Sequence, residues 1–507
     1  MQPARRNPSM SGSDRCRFLN EDRSILGAGA WNDPAIRKLW LYNLHYFDDL
    51  NAEGSERRRD WNVPLIRRWI DENPPAAGIG WNPYPTSLRI VNWIKWALGG
   101  GSLPEGAVRS LAVQARHLER RLEFHLLGNH LFSNAKALVF AGMFFEGPEG
   151  ERWLRKGLDL LEIEMPEQVL ADGGHFERSP MYHSLILEDL LDLVNLGRAY
   201  AKDGRDLARG LAARWAETSV RMRKWLSVMR HPDGEISLFN DAAFGIAPSP
   251  WELDAYAERL RFPATEGLRE GVTHLAESGY IRLQGGDAVI LLDVGPLGPD
   301  YLPAHGHADI LSFELSLYGN RVIVDTGTST YDTSPDRLNQ RGTSAHNTLV
   351  VDGQDSSEVW GSFRVARRAK PFGLRIKEEA GEVSVECSHD GYRRLPGKVR
   401  HKRNWVFGPG RLRVDDLLEG RFRIAETRFL LHPSVAEASR DLPETDSPTS
   451  SGAWRVPGGK KVHWRTEGGE GRFERTRYHP AFGVSEESVR LRIPVSGPRV
   501  AFELTWG

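Results

Sequence analysis

The sequence predicts an α+β protein of more than one domain, in which a helical half precedes a half built from antiparallel strands. Between residues 33 and 260, apolar side chains recur every three or four positions, as from Leu111 to Leu122, which is the spacing of amphipathic helices. From about Thr273 onward, apolar and polar residues alternate between turn residues, as in half-buried strands. Because helices and strands come in separate blocks, the pattern favours two layered domains over an alternating α/β fold.

The predicted domain boundary lies between Phe262 and Thr273, where the helical pattern ends. We therefore divide the chain into an N-terminal extension (1–32), a helical domain (33–265) and an antiparallel β domain (266–507). Seven to ten helices are expected in the helical domain. They fit either a ring of helical hairpins or a bundle, because periodicity does not distinguish the two.

The charge balance of the 507 residues excludes a protein that attracts its partner through overall charge. The chain has 67 Lys+Arg against 68 Asp+Glu, a formal net charge of -1, so it has no general field for nucleic acid or anionic membranes. Its two cysteines, Cys16 and Cys387, lie far apart in the sequence, which argues against a disulfide framework and against a Cys-x-x-Cys metal motif.

No membrane-spanning segment or export signal is recognisable in the sequence. The apolar run from Ala137 to Phe145 is about half as long as a transmembrane helix requires. The first residues include arginines but no apolar stretch followed by a small-residue cleavage site. The sequence as read therefore predicts a cytoplasmic protein.

Two polar clusters each precede an apolar helical run. Gly128–Asn134 comes before the run that starts at Ala135, and Asp172–His183 comes before another. In the second cluster Ser179 suits an N-cap position and a proline follows it, which places Tyr182 at the third helical position.

This position gives Tyr182 a chemical interpretation. A phenol with a pKa near 10 acts as a base only if its anion is stabilised, and a helix N-terminus with a neighbouring cation does this. Candidate neighbours are His130, His175 and His183. The alternative is that Asn129 and Ser179 only cap helices while the histidines bond loop carbonyls.

A third cluster, in the β half, suggests a metal site. His307, Asp325 and His346 combine imidazoles with a carboxylate, as zinc sites do. The alternative is a pair of loop histidines and an aspartate that caps a turn.

The expected hairpin register argues against this metal site. A two-residue turn at Gly319–Asn320 sets Glu314 opposite Asp325 and leaves His307 seven residues away, roughly 23 Å along an extended strand. The site therefore requires the segment His305–Asp309 to fold back, or a different register.

Two further features have both a binding and a structural interpretation. The stretch Arg364–Arg403 has 12 Lys+Arg and 5 Asp+Glu, a local charge of +7, which suits an acidic polymer but is more typical of the solvated face of strands. Trp81, Tyr84 and Arg89 suit a platform for a sugar ring with an anion partner, or a core tryptophan beside a helix cap.

Four sequence motifs together resemble the heparinase II/III-like polysaccharide lyases, whose relatives include exo-acting alginate lyases. They are GNHLFSNAKAL, DGGHFERSPMYHSLILEDLLDL, HGHADILSFELSLYGNRVIVDTGT and SAHNTLVVDG. The resemblance covers most of the chain from about Leu39. It implies an incomplete (α/α) toroid followed by an antiparallel β-sandwich, in the order of the helical and strand halves.

The resemblance also implies a β-elimination site between the two domains. Asn129 and His130 would hold and neutralise a uronic acid carboxylate. Tyr182 would act as base, acid or both, and His305 would be a second base or a carboxylate partner.

Other roles follow from the same resemblance. His307, Asp325 and His346 match a zinc site that is structural in the family, and no organic cofactor is expected. The predicted substrate contacts are Trp81, Arg89, Tyr331 and Arg341. Members of the family tend to act in the periplasm or outside the cell, which would apply here if a leader is missing.

The leading functional hypothesis is therefore a lyase that cleaves a uronic-acid-containing glycan, such as a heparan-like glycosaminoglycan. One alternative is a glycoside hydrolase on the same scaffold, with Glu177 paired with Asp172 or Glu188. Another is a glycan-binding protein without turnover. Neither nucleic acid nor membrane insertion is expected.

Overall fold

The computed structural model describes residues 1–201, 206–439 and 447–507, without the side chains of 206–209 and 211. The chain forms two compact units. Unit 1 comprises Met1–Val169, Ser184–Arg223 and Trp251–Thr265, and unit 2 comprises Leu170–His183, Lys224–Pro250 and Glu266–Gly507. Unit 1 thus includes the predicted N-terminal extension, whereas two segments that the sequence assigned to the helical domain belong to unit 2.

The N-terminal half is helical, as the sequence predicts. Within the described residues, nine α-helices lie between residues 38 and 259, which is inside the expected range. They are α1 (Lys38–Tyr46), α2 (Arg59–Glu72), α3 (Pro83–Leu98), α4 (Ala107–Glu119), α5 (Gly128–Phe144), α6 (Pro148–Gln168), α7 (Pro180–Ala201), α8 (Asp206–Val228) and α9 (Pro250–Arg259).

The predicted N-terminal extension contains strands of its own. They form a three-stranded antiparallel sheet of β1 (Met10–Gly12), β2 (Arg15–Phe18) and β3 (Glu21–Ser24). Cys16 is buried in this part of unit 1.

Helix α5 is buried on nearly all sides. From Ala137 onward its side chains are apolar around the whole circumference, as expected of a buried helix. It lies close to α6 because Gly157 has no side chain: a Cβ there would lie 2.8 Å from the carbonyl oxygen of Ala135. A larger residue at this position would force the two helices apart.

The rest of the described chain is built mainly from strands. These are β4 (Gly271–Leu275), β5 (Tyr280–Gly285), β6 (Ala288–Asp293), β7 (Phe313–Leu317), β8 (Asn320–Ile323), β9 (Leu349–Val351), β10 (Val359–Trp360), β11 (Arg364–Val365), β12 (Pro371–Glu379), β13 (Glu382–His389), β14 (Arg400–Gly408), β15 (Arg411–Glu419), β16 (Ala425–Leu430), β17 (Ser451–Arg455), β18 (Lys461–Glu467), β19 (Arg472–Tyr478), β20 (Glu486–Pro494) and β21 (Arg499–Trp506). Two short helices, α10 (Pro335–Arg341) and α11 (Pro433–Ala438), lie among them.

These strands form three larger sheets and a small one. The sheet orders are β4-β5-β6-β7-β8, β12-β13-β14-β15-β21-β18-β17 and β19-β20-β16-β9, with β10-β11 as a separate pair. Neighbouring strands are antiparallel, as predicted. Buried side chains of the three larger sheets, such as Leu283, Trp405 and Phe429, share one apolar core.

The β7–β8 hairpin differs from the expected register. Leu317 lies opposite Asn320, so the turn is formed by Tyr318 and Gly319, one residue earlier than predicted. Both turn residues have positive φ, 53° and 78°, as a two-residue turn that matches the strand twist requires. A bulge between Leu315 and Ser316 shifts the pairing again farther along the strands. The changed register by itself still leaves His307 several residues from the position that faces Asp325.

The interior of unit 1 contains two residues that the sequence suggested as substrate contacts. Arg89 is fully buried; its guanidinium lies 3.8 Å from the ring centroid of Trp69 and its Nε donates to Gln114 at 2.9 Å. Trp81 is also buried, and its indole donates to the carbonyl oxygen of Asn73 at 3.2 Å. Both side chains pack the core, so the structure does not support the predicted sugar platform.

No helix among the described residues is long and apolar enough to cross a membrane.

His45, in the same core, makes the stability of unit 1 depend on pH. Its Nε2 lies 3.0 Å from the carbonyl oxygen of Trp31, while Nδ1 accepts a 3.0 Å hydrogen bond from the indole of Trp69. Burial, followed by the charge of Arg89, lowers the pKa of His45 from 6.5 to about 3. Its neutral form therefore belongs to the folded state.

We expect acidification to destabilise the protein partly through His45. Above about pH 6.5 the folded and unfolded states both hold it neutral, whereas between pH 6.5 and 3 only the unfolded state binds the proton. This contributes a loss of about 2 kcal/mol between pH 7 and pH 5. Urea unfolding at both pH values should show a smaller loss for His45→Gln. The exposed control His463→Gln should behave as wild type, and equal losses in all three proteins would contradict the prediction.

Candidate active site

Tyr182 occupies the first turn of α7, as the sequence predicts. Its backbone N–H donates to Ser179 Oγ at 3.2 Å, and the N–H of His183 donates to the carbonyl oxygen of Ser179 at 2.9 Å. Ser179 is therefore the N-cap, and its hydroxyl in turn donates to the carbonyl oxygen of Asp241 at 2.5 Å. Tyr182 thus lies at the positive end of the helix dipole.

The Tyr182 side chain contacts two residues that the sequence also singled out. Its ring stacks on His305, with centroids 3.9 Å apart and an interplanar angle of 30°. Its hydroxyl oxygen lies 3.2 Å from that of Tyr331. Burial raises the pKa of Tyr331 well above its ordinary value of 10, so Tyr331 is a neutral O–H group. The structure therefore brings Tyr182, His305 and Tyr331 together within unit 2.

His305 lies between two carboxylates. Its Nδ1 is 2.9 Å from Asp241 Oδ2, and its Nε2 is 3.3 Å from Glu177 Oε2. The residue is only 8% exposed. Both ring nitrogens of His305 thus have a group nearby with which to share a proton.

Asp241 is the centre of this arrangement, and it was not among the predicted site residues. Besides His305 it binds His307 Nε2, 2.9 Å from Oδ1, and the guanidinium of Arg337, with Nη2 2.7 Å from Oδ2. Burial alone would raise the pKa of Asp241. The charge of Arg337 and the hydrogen bonds from the two histidines outweigh this and hold the pKa well below 3.8, so the carboxylate stays ionised.

The segment His305–Asp309 folds back, as the metal hypothesis requires. It lies in turns instead of a strand, and its His307 ring centroid is 5.3 Å from that of His346. His346 Nδ1 in turn lies 2.7 Å from Asp325 Oδ2. The structure thus gathers the three predicted metal ligands in one buried region.

The donor atoms of this region fit a metal ion in part. His307 Nδ1 and His346 Nε2 are buried and have no hydrogen-bond partner among the described residues. Buried imidazole nitrogens without a partner are the ligands zinc prefers. However, no group of three or more His, Cys, Asp and Glu in the described chain has the spacing of a complete metal site.

Arg341, a predicted substrate contact, is buried instead. Its guanidinium donates to the carbonyl oxygens of Gly306 at 2.9 Å and Gly361 at 3.1 Å, and burial lowers its pKa to about 10. It fastens the loop that carries His305 and His307. The predicted role in substrate binding is therefore replaced by a structural one.

Asn129 and His130 lie in the first turn of α5, because this helix begins at Gly128 and not after Asn134 as the sequence suggested. Asn129 is buried. His130 has a 30% exposed side chain, with Nδ1 3.2 Å from Glu123 Oε1. These residues belong to unit 1, and their role toward a substrate stays a prediction.

The carboxylate pair proposed for a hydrolase is not supported by the structure. Asp172 Oδ2 accepts hydrogen bonds from the backbone and hydroxyl of Ser278 at 2.7 and 2.8 Å, which is a loop-closing role. Glu188 forms an ion pair with Arg6 in unit 1. Neither is free to act with Glu177 as the second carboxylate of a hydrolase.

Comparison with known proteins gives the family. Residues 106–260 match the family model described as heparinase II/III N-terminus, and residues 268–507 match the model described as heparinase II/III-like, C-terminal. The solved structure of heparinase III is similar with a TM-score of 0.74 and 18% identity, over 96% of this chain and 79% of that one. This likeness confirms the fold.

Two curated relatives differ in what their names describe. A heparin-sulfate lyase of Pedobacter heparinus is 27% identical over 252 residues, which are 45% of this chain and 36% of that protein. FtsZ-localized protein C of Caulobacter vibrioides is 26% identical over 459 residues, 87% of this chain and 74% of that protein. The alignment thus spans about a third of the lyase. From the two family models and these relatives, the chain belongs to the heparinase II/III-like family.

Proposed function

We propose that the protein is a polysaccharide lyase that cleaves a uronic-acid-containing glycan by β-elimination. The observation that carries this proposal is the contact of Tyr182 with both His305 and Tyr331. The lyases among the relatives support it, and heparin-sulfate lyase as the name of a relative favours a heparan-like substrate.

The reaction breaks the bond between C4 and O4 of a uronate and forms a double bond between C4 and C5. A base must remove the C5 proton, donors must stabilise the enolate that develops at the adjacent carboxylate, and O4 must gain a proton. The proton taken from C5 and the proton given to O4 balance. The reaction therefore needs a proton-transferring pair and hydrogen-bond donors, but no nucleophile.

Tyr182 suits the proton transfer. As a phenolate it would take the C5 proton, and as a phenol it would give a proton to O4. Two features favour the phenolate form: the helix N-terminus and the O–H of Tyr331 at 3.2 Å. The stacked His305 ring holds the Tyr182 ring in place. His305 would act as the second proton acceptor through Nε2, because the ionised Asp241 accepts a hydrogen bond from Nδ1 and so leaves the lone pair on Nε2.

Asn129 and His130 are proposed as the donors for the uronate carboxylate. An amide and an imidazole N–H stabilise developing negative charge without taking part in proton abstraction. This assignment rests on the motif Gly128–Asn134 and on membership of the family.

We also propose a zinc ion held by Nδ1 of His307 and Nε2 of His346. Asp325, predicted as a third ligand, bonds Nδ1 of His346 and would orient that ring instead. The support is the pair of buried imidazole nitrogens without partners, the 2.7 Å contact that orients His346 through Asp325, and the donor preference of zinc. A bound zinc would supply structural cross-linking. The residues assigned to proton transfer, Tyr182 and His305, are not among its ligands.

A second candidate is a glycan-binding protein that performs no turnover. It is raised by FtsZ-localized protein C, which aligns over 87% of this chain and whose name describes localisation. Retention on a uronate polymer without new ultraviolet absorbance would identify this case.

Tyr182→Phe should abolish elimination. The substitution removes the proton-transferring oxygen, and we expect the rate to fall at least about 100-fold. The measurement is ultraviolet absorbance of the unsaturated uronate during incubation with uronate polymers. Tyr392→Phe is the matched control, since it removes another buried hydroxyl of unit 2, one that donates to the carbonyl oxygen of Leu349. Full activity of Tyr182→Phe would refute the mechanism.

Asp241→Asn should lower both kcat and stability. Loss of the charge leaves Arg337 buried without its counter-ion, which costs about 3–5 kcal/mol, and lets His305 rotate or change tautomer. We expect KM to change little. Asp300→Asn is the control, because Asp300 pairs with Arg368 but is 87% exposed at its side chain; its cost should stay below about 0.5 kcal/mol. Wild-type kcat in a stable Asp241→Asn protein would contradict the positioning role.

Purified protein should contain one zinc ion per chain by elemental analysis. Chelation should lower Tm by at least about 5 °C, because a metal that binds only the folded state stabilises it. His346→Ala should lose both the zinc and the response of Tm to chelator. The exposed His463→Ala should keep both. Zinc-free wild-type protein with a Tm unaffected by added zinc would rule out the site.

A further inference from the structure

A second concentration of charge lies in unit 2, in loops that contribute nothing to the Tyr182 site. A pocket of about 420 Å³ is lined by five cationic side chains and one carboxylate. The cations are Arg367, Arg368, Arg393, Arg394 and Lys398, and the carboxylate is Asp390. This pocket lies within the stretch of local charge +7, which the sequence analysis interpreted as a solvated strand face. We call it the basic pocket.

Two of the five cations are occupied. Arg394 donates to the backbone carbonyl oxygens of Asp355, Ser356 and Gly391, which fixes its guanidinium against the loop. Arg367 forms a bidentate ion pair with Glu358, in which Nε donates to Oε2 at 2.7 Å and Nη2 donates to Oε1 at 2.5 Å. Arg394 is therefore part of the wall, and the charge of Arg367 is paired with that of Glu358.

The other three cations have charge to offer a ligand. The side chains of Arg393 and Lys398 make no ion pair or hydrogen bond with any described residue. Arg368 bonds only the largely exposed Asp300, at 3.0 Å, and its Nε is buried without a hydrogen-bond partner in the described chain. Three cations thus face one pocket with a single carboxylate in its lining.

The loop that carries Lys398 is held rigidly. A Cβ at Gly397 would lie 1.6 Å from the carbonyl oxygen of Arg421, so the two backbones touch, and the N–H of Arg421 donates to Gly397 O at 2.9 Å. On its other side the loop borders a second pocket of about 550 Å³, with Arg421 and Arg423 in its lining. Both arginines are exposed. The cationic surface therefore continues past the loop. Because the Gly397 loop is already held in place, it loses little conformational freedom when a ligand binds.

We propose that the basic pocket is an accessory site that binds the carboxylate and sulfate groups of an acidic polysaccharide. This inference rests on the proposed function, because it assigns the substrate a second point of attachment. Guanidinium groups suit such anions, since they offer two parallel N–H donors to carboxylate or sulfate oxygens. The described lining of the basic pocket has no aromatic side chain, which disfavours single-stranded nucleic acid, whose bases need rings to stack on.

Because the whole chain is nearly neutral, tight binding of a polyanion requires a local site. With a net charge of -1, the protein gains nothing from long-range attraction at physiological salt, where screening acts within about 8 Å. Binding must come from close contacts. An accessory site would hold a long polymer near the enzyme while leaving short oligosaccharides unaffected.

The test compares wild type with the double variant Arg393→Glu and Lys398→Glu. The control is Arg472→Glu with Arg475→Glu, the same change of charge at two exposed residues of β19. Binding is measured by calorimetry and by the salt needed for elution, with heparin and with its unsulfated counterpart heparosan. Thermal melts confirm that all proteins fold.

We expect the double variant to bind heparin at least about tenfold more weakly at low salt and to elute earlier, while the control matches wild type. A similar loss for heparosan would identify carboxylates as the ligand, and a loss confined to heparin would identify sulfates. Turnover of a tetrasaccharide should stay unchanged while KM for the polymer rises.

The outcomes separate the two proposals. If the double variant and the control bind both polymers alike, the accessory site is refuted. If the double variant loses affinity for duplex DNA but not for either polysaccharide, the assigned partner is wrong. If wild type produces no ultraviolet absorbance on any polymer, the proposed function fails, whereas a binding loss in the double variant would still support the accessory site.

Discussion

The buried carboxylate of Asp241 holds the candidate active site together. It binds His305, His307 and Arg337, which come from separate parts of unit 2. A lone charge at this depth would cost several kcal/mol, and only a well-placed counter-ion makes it tolerable. Arg337, on the short helix α10, supplies that counter-ion. The stacking of His305 on Tyr182 therefore depends on the ion pair between Asp241 and Arg337.

Local signals made the helix start at Tyr182 predictable from sequence. An N-cap serine followed by proline acts within one turn, so its effect does not depend on the rest of the fold. The order of helical and strand halves was equally accessible, because periodicity changes at one place in the chain. The motif match then supplied His305 as a second base or carboxylate partner and Tyr331 as a substrate contact, which spacing alone did not provide. Their direct contacts with Tyr182 come from the structure.

The features that could not be predicted all depend on long-range packing. Asp241 meets Arg337 across 96 positions of sequence, and nothing around Asp241 distinguishes it from a loop aspartate. Arg89 has a side chain that suits anion binding, but its guanidinium packs on the Trp69 ring in the interior of unit 1. The hairpin register depends on positive φ at Tyr318, a backbone conformation that is not expected for a tyrosine. In each case the tertiary environment outweighed the local pattern.

The acceptor-only nature of an ionised carboxylate decides the tautomers of both histidines that Asp241 binds. Because Asp241 offers no proton, Nδ1 of His305 and Nε2 of His307 must be the donors. This leaves Nδ1 of His307 with a lone pair in a buried place, which is the form a metal ligand needs. It also leaves Nε2 of His305, 3.3 Å from Glu177, as the nitrogen available for the proton transfer proposed above. Under the proposed function, this one carboxylate orients His307 for metal binding and His305 for proton transfer. A substitution at Asp241 would disturb both roles at once, whereas a substitution at His346 would disturb only the first.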